Sequence, residues 1–166
     1  HMVVVQLDAA DVHYPAKVYE RLGESRFQHL FALGNLDLLS VQKTGLFCSV
    51  RIPGRAILKT YDQAVRWRDT GRCVIGGFHS PIEEECLRIL LRGRQPVILC
   101  RAQALPKRMP SAFRKPVSDG RMLMLSGSDV RARRITTKRT ILRNDLVAAM
   151  SDEVRFALIS PDSHAQ

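Results

Sequence analysis

From Thr44 onward the apolar positions follow two alternating rhythms. Short runs that are apolar at consecutive positions, "GLFCSV" at 45–50, "CVI" at 73–75, "PVILC" at 96–100, "MLML" at 122–125 and "VRFALI" at 154–159, predict strands covered on both faces, as in a parallel sheet. Between them the apolar residues recur at helical spacing. Ile57, Leu58, Tyr61, Ala64 and Val65 form one stripe over 54–69, and Ile82, Cys86, Ile89 and Leu90 form another over 81–92. A shorter helix is predicted within 110–118, and a last one over about 137–151 carries Ile141, Leu142, Leu146 and Met150, with Thr136 or Thr137 as its cap. Strands and helices that alternate over short connections imply right-handed crossovers, hence a doubly wound α/β fold of about five or more strands, mostly parallel, with helices on both faces.

Residues 3–43 lack that rhythm. "PAKVYERLG" predicts a short helix from Pro15 to Leu22, and Leu30, Phe31 and Leu33 precede a Gly34-Asn35 turn. The expectation is one domain: an irregular lead-in over 1–43 packed on the core, the core at 44–160, and a tail at 161–166.

The stretch "CVIGGFHSPIEEE", Cys73 to Glu85, marks where a ligand would sit. Ser80 suits a helix N-cap, Pro81 the first helical position, and Glu83 the third position of a capping box. Gly76 and Gly77 therefore fall on a strand-to-helix turn, either as a tight turn or as a place where the backbone approaches an anion at the helix N-terminus. "CSVRIPGR" at 48–55 and "SGSDV" at 126–130 are similar junctions, so Ser49, Arg51, Gly76, Gly77, Ser80 and Ser126 are the candidate ligand or phosphate contacts on that edge. Phe78 follows the glycine pair and is the best placed aromatic residue for stacking on a base. His79 titrates near neutrality and serves either as a general acid or base or as a backbone hydrogen-bonding partner.

Charge narrows the partner. Twenty-six Lys and Arg against sixteen Asp and Glu give a net charge of +10, which attracts polyanions. Arg131, Arg133, Arg134, Lys138, Arg139 and Arg143 crowd one thirteen-residue window, either as a solvated face or as contacts to a nucleic-acid backbone. Cys48, Cys73, Cys86 and Cys100 lie inside apolar runs without paired spacing, so reduced buried thiols are expected, with no metal site and no cofactor. No apolar run reaches the length of a membrane span, which points to a soluble, cytoplasmic protein with no membrane partner.

The blocks "QPVILCRAQAL", "GRMLMLSGS" and "RRITTKRTILRNDLVAAMSDEV", in that order, resemble the Rossmann-like core of the DNA-processing protein A family, also called Smf. Matching positions include Cys100, Leu125, Ser126, Arg143, Asn144, Ala148, Ser151 and Asp152, while "IGGFHSPIEEE" takes the place of the family's "SGLARGID" turn, with Ser80 at its arginine. The resemblance spans about 44–160 and implies a Rossmann-like fold that binds single-stranded DNA, with Arg143 and Asn144 as contacts. It also implies a homo-oligomer, a dimer, because the family's closing elements are not found after Ile159. Gly76, Gly77, Ser80 and Glu83 also match the spacing of the "GGxGTxxE" motif of the "lonely guy" phosphoribohydrolases. That second resemblance implies a mononucleotide ligand, sensed or cleaved at its N-glycosidic bond, with Glu83 and His79 as the catalytic candidates.

Overall fold

The computed structural model describes residues 3–49, 51–129 and 131–157; the expected end of the last strand at Ile159 and the tail at 161–166 lie outside them. In chain order the elements are β1 (Val5–Asp8), α1 (Ala16–Leu22), β2 (His29–Gly34), β3 (Lys43–Cys48), α2 (Gly54–Thr70), β4 (Cys73–Gly76), α3 (Pro81–Leu91), β5 (Val97–Arg101), α4 (Ser111–Ser118), β6 (Met122–Ser126), α5 (Thr137–Met150) and β7 (Glu153–Ala157). They form one seven-stranded sheet of order β1-β2-β6-β5-β4-β3-β7. Strands β6 to β7 in that order are parallel, and β1 and β2 extend the sheet antiparallel.

The parallel strands read as continuous apolar runs because both faces are covered. Cys73, Ile75, Ile98, Cys100, Leu123 and Leu125 point to one side, where Val18 of α1 and Leu146, Val147 and Met150 of α5 close the core. Val74, Val97, Leu99, Met122 and Met124 point to the other, under Ala64 and Trp67 of α2 and Cys86, Ile89 and Leu90 of α3. Helices α2, α3 and α4 step from strand to strand in one direction, and α5 then returns across β5, β4 and β3 to deliver β7 beside β3. Reversal of the strand order is what makes the fold doubly wound.

Two sequence expectations change. The lead-in is not irregular: β1 and β2 are sheet strands, and only their Leu7, Leu30 and Ala32 side is fully covered, so the apolar pattern there is half as dense. Gly34 ends β2 with φ +122°, and a Cβ there would meet the Met122 carbonyl oxygen at 2.3 Å, so the β2–β6 junction needs a glycine. In α2, Leu58 is 64% exposed, and the buried stripe is Thr60, Ala64 and Trp67 instead. Among the described residues no helix is long and apolar enough to cross a membrane.

Candidate nucleic-acid interface

Strands β3 to β6 end on the same edge, and the helices that follow them start there. The turn after β4 is the most constrained. Ser80 caps α3, accepting from the Glu83 N–H at 3.3 Å and donating through its hydroxyl to Glu83 Oε2 at 2.9 Å. Glu83 is 2% exposed, and its other carboxylate oxygen lies 3.6 Å from His79 Nδ1. Both Ser80 and Glu83 are therefore held within the cap, and neither lines the adjoining cleft. Burial holds the His79 imidazole below its ordinary value; Glu83 opposes that shift and Arg143 adds to it.

Arg143 departs from the expectation of a solvated basic window. It is only 5% exposed, on the same face of α5 as Leu146, Val147 and Met150. Its guanidinium lies against the β4 turn, where a Cβ on Gly77 would stand 2.8 Å from Cζ, Nε and Nη1. Gly77 thus makes room for a cation rather than for a sharp bend. Nε donates to Asn144 Oδ1 at 2.9 Å, which orients the group, whereas Nη2 is buried without a hydrogen-bond partner. Among the described residues Arg143 forms no ion pair, although the Glu83 carboxylate is close enough to offset part of the cost that burial imposes on its charge. Buried polar groups are nearly always paired, so the orphaned Nη2 marks, among the described residues, a place where the guanidinium keeps unused hydrogen-bonding capacity.

That place is a cleft of about 500 Å³ between α3 and α4 at the ends of β4 and β5. Leu87, Leu91, Leu99 and Phe113 make its apolar wall, and Arg143, Arg101 and Arg88, the last paired with Glu85 at 3.0 Å, its positive side, with His79 beside them and Glu84 as the acidic group. Arg101 donates from Nε to the Ala104 carbonyl at 2.9 Å, and Arg133 from Nη1 to the Leu105 carbonyl at 3.1 Å. Burial lowers the Arg101 pKa, and Arg133 nearby lowers it further.

The remaining candidates divide. Phe78 adopts a left-handed conformation with φ 47° and lines the cleft, but at 5% exposed it packs with the core and leaves little of its ring to stack on; half-buried Phe113 is the more open aromatic residue of the cleft wall. Ser126 is wholly buried, its hydroxyl donating to the Gln103 carbonyl at 2.7 Å and accepting from the Ser128 N–H at 3.0 Å, which leaves nothing for a ligand. Gly76 ends β4 beneath the turn, and Ser49 and Arg51 follow β3; none of the three lines the cleft. Arg131, Arg133, Arg134 and Lys138 are exposed, and Arg139 is half-buried with Nη1 on the Arg134 carbonyl at 2.7 Å. Sequence reasoning missed Arg101 and Arg88, and ranked Phe78 ahead of Phe113 as the stacking residue. The usable signal for Arg101 was its position at the end of a wholly apolar run.

This architecture, with an open cleft at the strand ends, is that of a Rossmann-type α/β domain. Solved structures narrow the fold to that of DNA processing protein A. The Streptococcus pneumoniae protein superimposes with a TM-score of 0.73 at 19% identity over 92% of this chain and 53% of its own. The Helicobacter pylori protein, described for a unique single-stranded DNA binding mode, gives 0.68 at 18% identity over 94% of this chain and 69% of its own. The chain thus has a DprA-like Rossmann-type fold and spans about half the length of the first of these relatives. No family model matches the sequence, and no curated protein matches it.

Proposed function

We propose that the chain binds single-stranded DNA along the carboxyl edge of its sheet and acts in cytoplasmic DNA processing, in uptake or recombination. The observation that carries the proposal is the buried Arg143 guanidinium with Nη2 unpartnered in the wall of the cleft, flanked by Arg101 and Arg88. A phosphate oxygen supplies the missing acceptor, and the apolar wall with Phe113 accepts the flat face of a base, the combination that single-stranded nucleic acid offers. Resemblance to proteins of DNA processing in both fold and block order supports the same ligand. A hydrolase reading finds less support, since Glu83 is buried within the helix cap and does not reach the cleft. A second copy of the chain is the partner we assign to the β7 edge, where Val154 and Phe156 are exposed.

The test is fluorescence anisotropy of a labelled oligothymidylate over a salt series, with the parent and an Arg143→Gln protein. The parent should bind, and the variant at least about tenfold more weakly, since a hydrogen bond to a charged group contributes about 1.5–3 kcal/mol. Equal binding by the variant removes the proposal. Displacement of the oligonucleotide by a nucleoside 5′-monophosphate at comparable concentration would instead make the cleft a mononucleotide site.

A further inference from the structure

A second cavity of about 490 Å³ lies beside the cleft on the same edge, at the junction of β6 with the antiparallel β2. Arg26, Arg131 and Arg139 face it, with His29 at the start of β2 and half-buried Phe31 behind. Its floor is kept low by Gly127, where a Cβ would stand 2.4 Å from the Phe27 ring. Acidic groups cancel part of this charge and leave Arg131 and Arg139 without a carboxylate partner among the described residues. Asp129 faces the groove, but its Oδ1 already accepts the Arg131 N–H at 2.7 Å, and Asp145 and Asp8 pair with Arg26 and His29 from the sides. The Arg131 side chain is exposed and has no hydrogen bond or ion pair among the described residues.

The groove adjoins the cleft without sharing a lining residue with it. Between them runs the 131–136 crossover, tied down by the Ala104 N–H on the Ala132 carbonyl at 2.8 Å and by Arg133 on the Leu105 carbonyl. The cleft sits at the β4–β5 ends and the groove at the β6–β2 ends, which is two strand spacings, or about 10 Å. About three nucleotides at the stacked rise of 3.4 Å cover that distance.

We propose that the groove continues the nucleic-acid path: single-stranded DNA engaged in the cleft runs over the crossover and lays its next phosphates against Arg131, Arg139 and Arg26. The inference rests on the function proposed above and adds a part of the interface that the β1–β2 extension builds, with a site longer than the cleft alone accommodates. Oligothymidylates of two and twelve nucleotides separate the two claims, because only the longer one reaches both cavities. For the parent, the dependence of log affinity on log salt should be steeper for the 12-mer, by about 0.7 per added phosphate contact. In an Arg26→Ala/Arg131→Ala protein that excess should fall by about 1.4, two contacts' worth, while binding of the dinucleotide stays as in the parent. Arg131→Gln alone, at an exposed side chain without partners, gives the same test with half the shift if the double variant is poorly folded. A 12-mer slope unchanged in the variants, or dinucleotide binding weakened as much as 12-mer binding, overturns the groove while leaving the cleft assignment intact. Failure of the parent to bind either oligonucleotide removes both.

Discussion

Substitution of Gly77 by alanine tests the cleft without touching a charged residue. The added Cβ would stand 2.8 Å from three atoms of the Arg143 guanidinium, closer than such contacts occur, so the mobile end of the arginine must leave its place. Fold stability should change little. Gly77 has no left-handed φ to lose, and alanine lowers the entropy of the unfolded chain by about 0.4–1 kcal/mol, which offsets part of the crowding. A net change within about 1 kcal/mol shifts Tm by only about 2–4 °C in a domain of this size. Binding should respond far more. A displaced guanidinium forfeits a charge-assisted hydrogen bond worth about 1.5–3 kcal/mol, which corresponds to a loss of about 10- to 150-fold in affinity. Anisotropy titrations of oligothymidylate with the parent, Gly77→Ala, Arg143→Gln and the double variant give the answer. Because the glycine acts through the arginine, the double variant should bind no more weakly than Arg143→Gln alone. Losses that add in the double variant, or a Gly77→Ala protein that binds like the parent, would refute the reasoning.

Three further outcomes follow from the same geometry. Burial disfavours the His79 imidazolium in the free protein, so stability should decline as pH falls through the ordinary histidine value of 6.5; a bound phosphate favours the same cation, so oligonucleotide affinity should rise as pH falls from 7.5 to 5.5, and His79→Ala should abolish that rise. Ser80→Ala removes the α3 cap and the partner of a buried carboxylate, and should lower the stability measured by urea unfolding by about 1–2 kcal/mol, where a loss near zero would mean that Glu83 holds the turn without it. Sedimentation equilibrium should find a dimer dissociated by Phe156→Glu on β7, and an 18.7 kDa species alone for the parent would remove that assignment.

The α3 cap was plain in the sequence because Ser80, Pro81 and Glu83 meet a local requirement at fixed spacing. The parallel strands were plain because burial on both faces leaves no polar alternation. β1 and β2 were hidden, since Leu7 is the one buried residue of Val5–Asp8. Arg143 was misplaced for a different reason. Its neighbours in sequence are basic and exposed, so it was grouped by charge density; yet helical periodicity puts 143 in line with 146, 147 and 150, the core face of α5. An arginine on the apolar stripe of a helix was the readable sign, and charge counting concealed it. Phe78 was misjudged because its position in the turn predicts proximity to a ligand but not the direction of its ring.

The return of α5 across the sheet also sets when the binding site comes into being. This helix packs on the opposite face from α3 and α4, yet it supplies the guanidinium that lines the cleft between them. A chain emerging from the ribosome builds β3 through β6 and three of the crossover helices before residues 137–150 appear, and at that stage Ile75, Ile98 and Leu123 still lack the cover of Leu146 and Val147. Completion of the second core and arrival of the ligand-seeking cation are then one event. A nascent or truncated chain without α5 lacks the Arg143 guanidinium, so the cleft has its complete lining only in molecules that have finished folding.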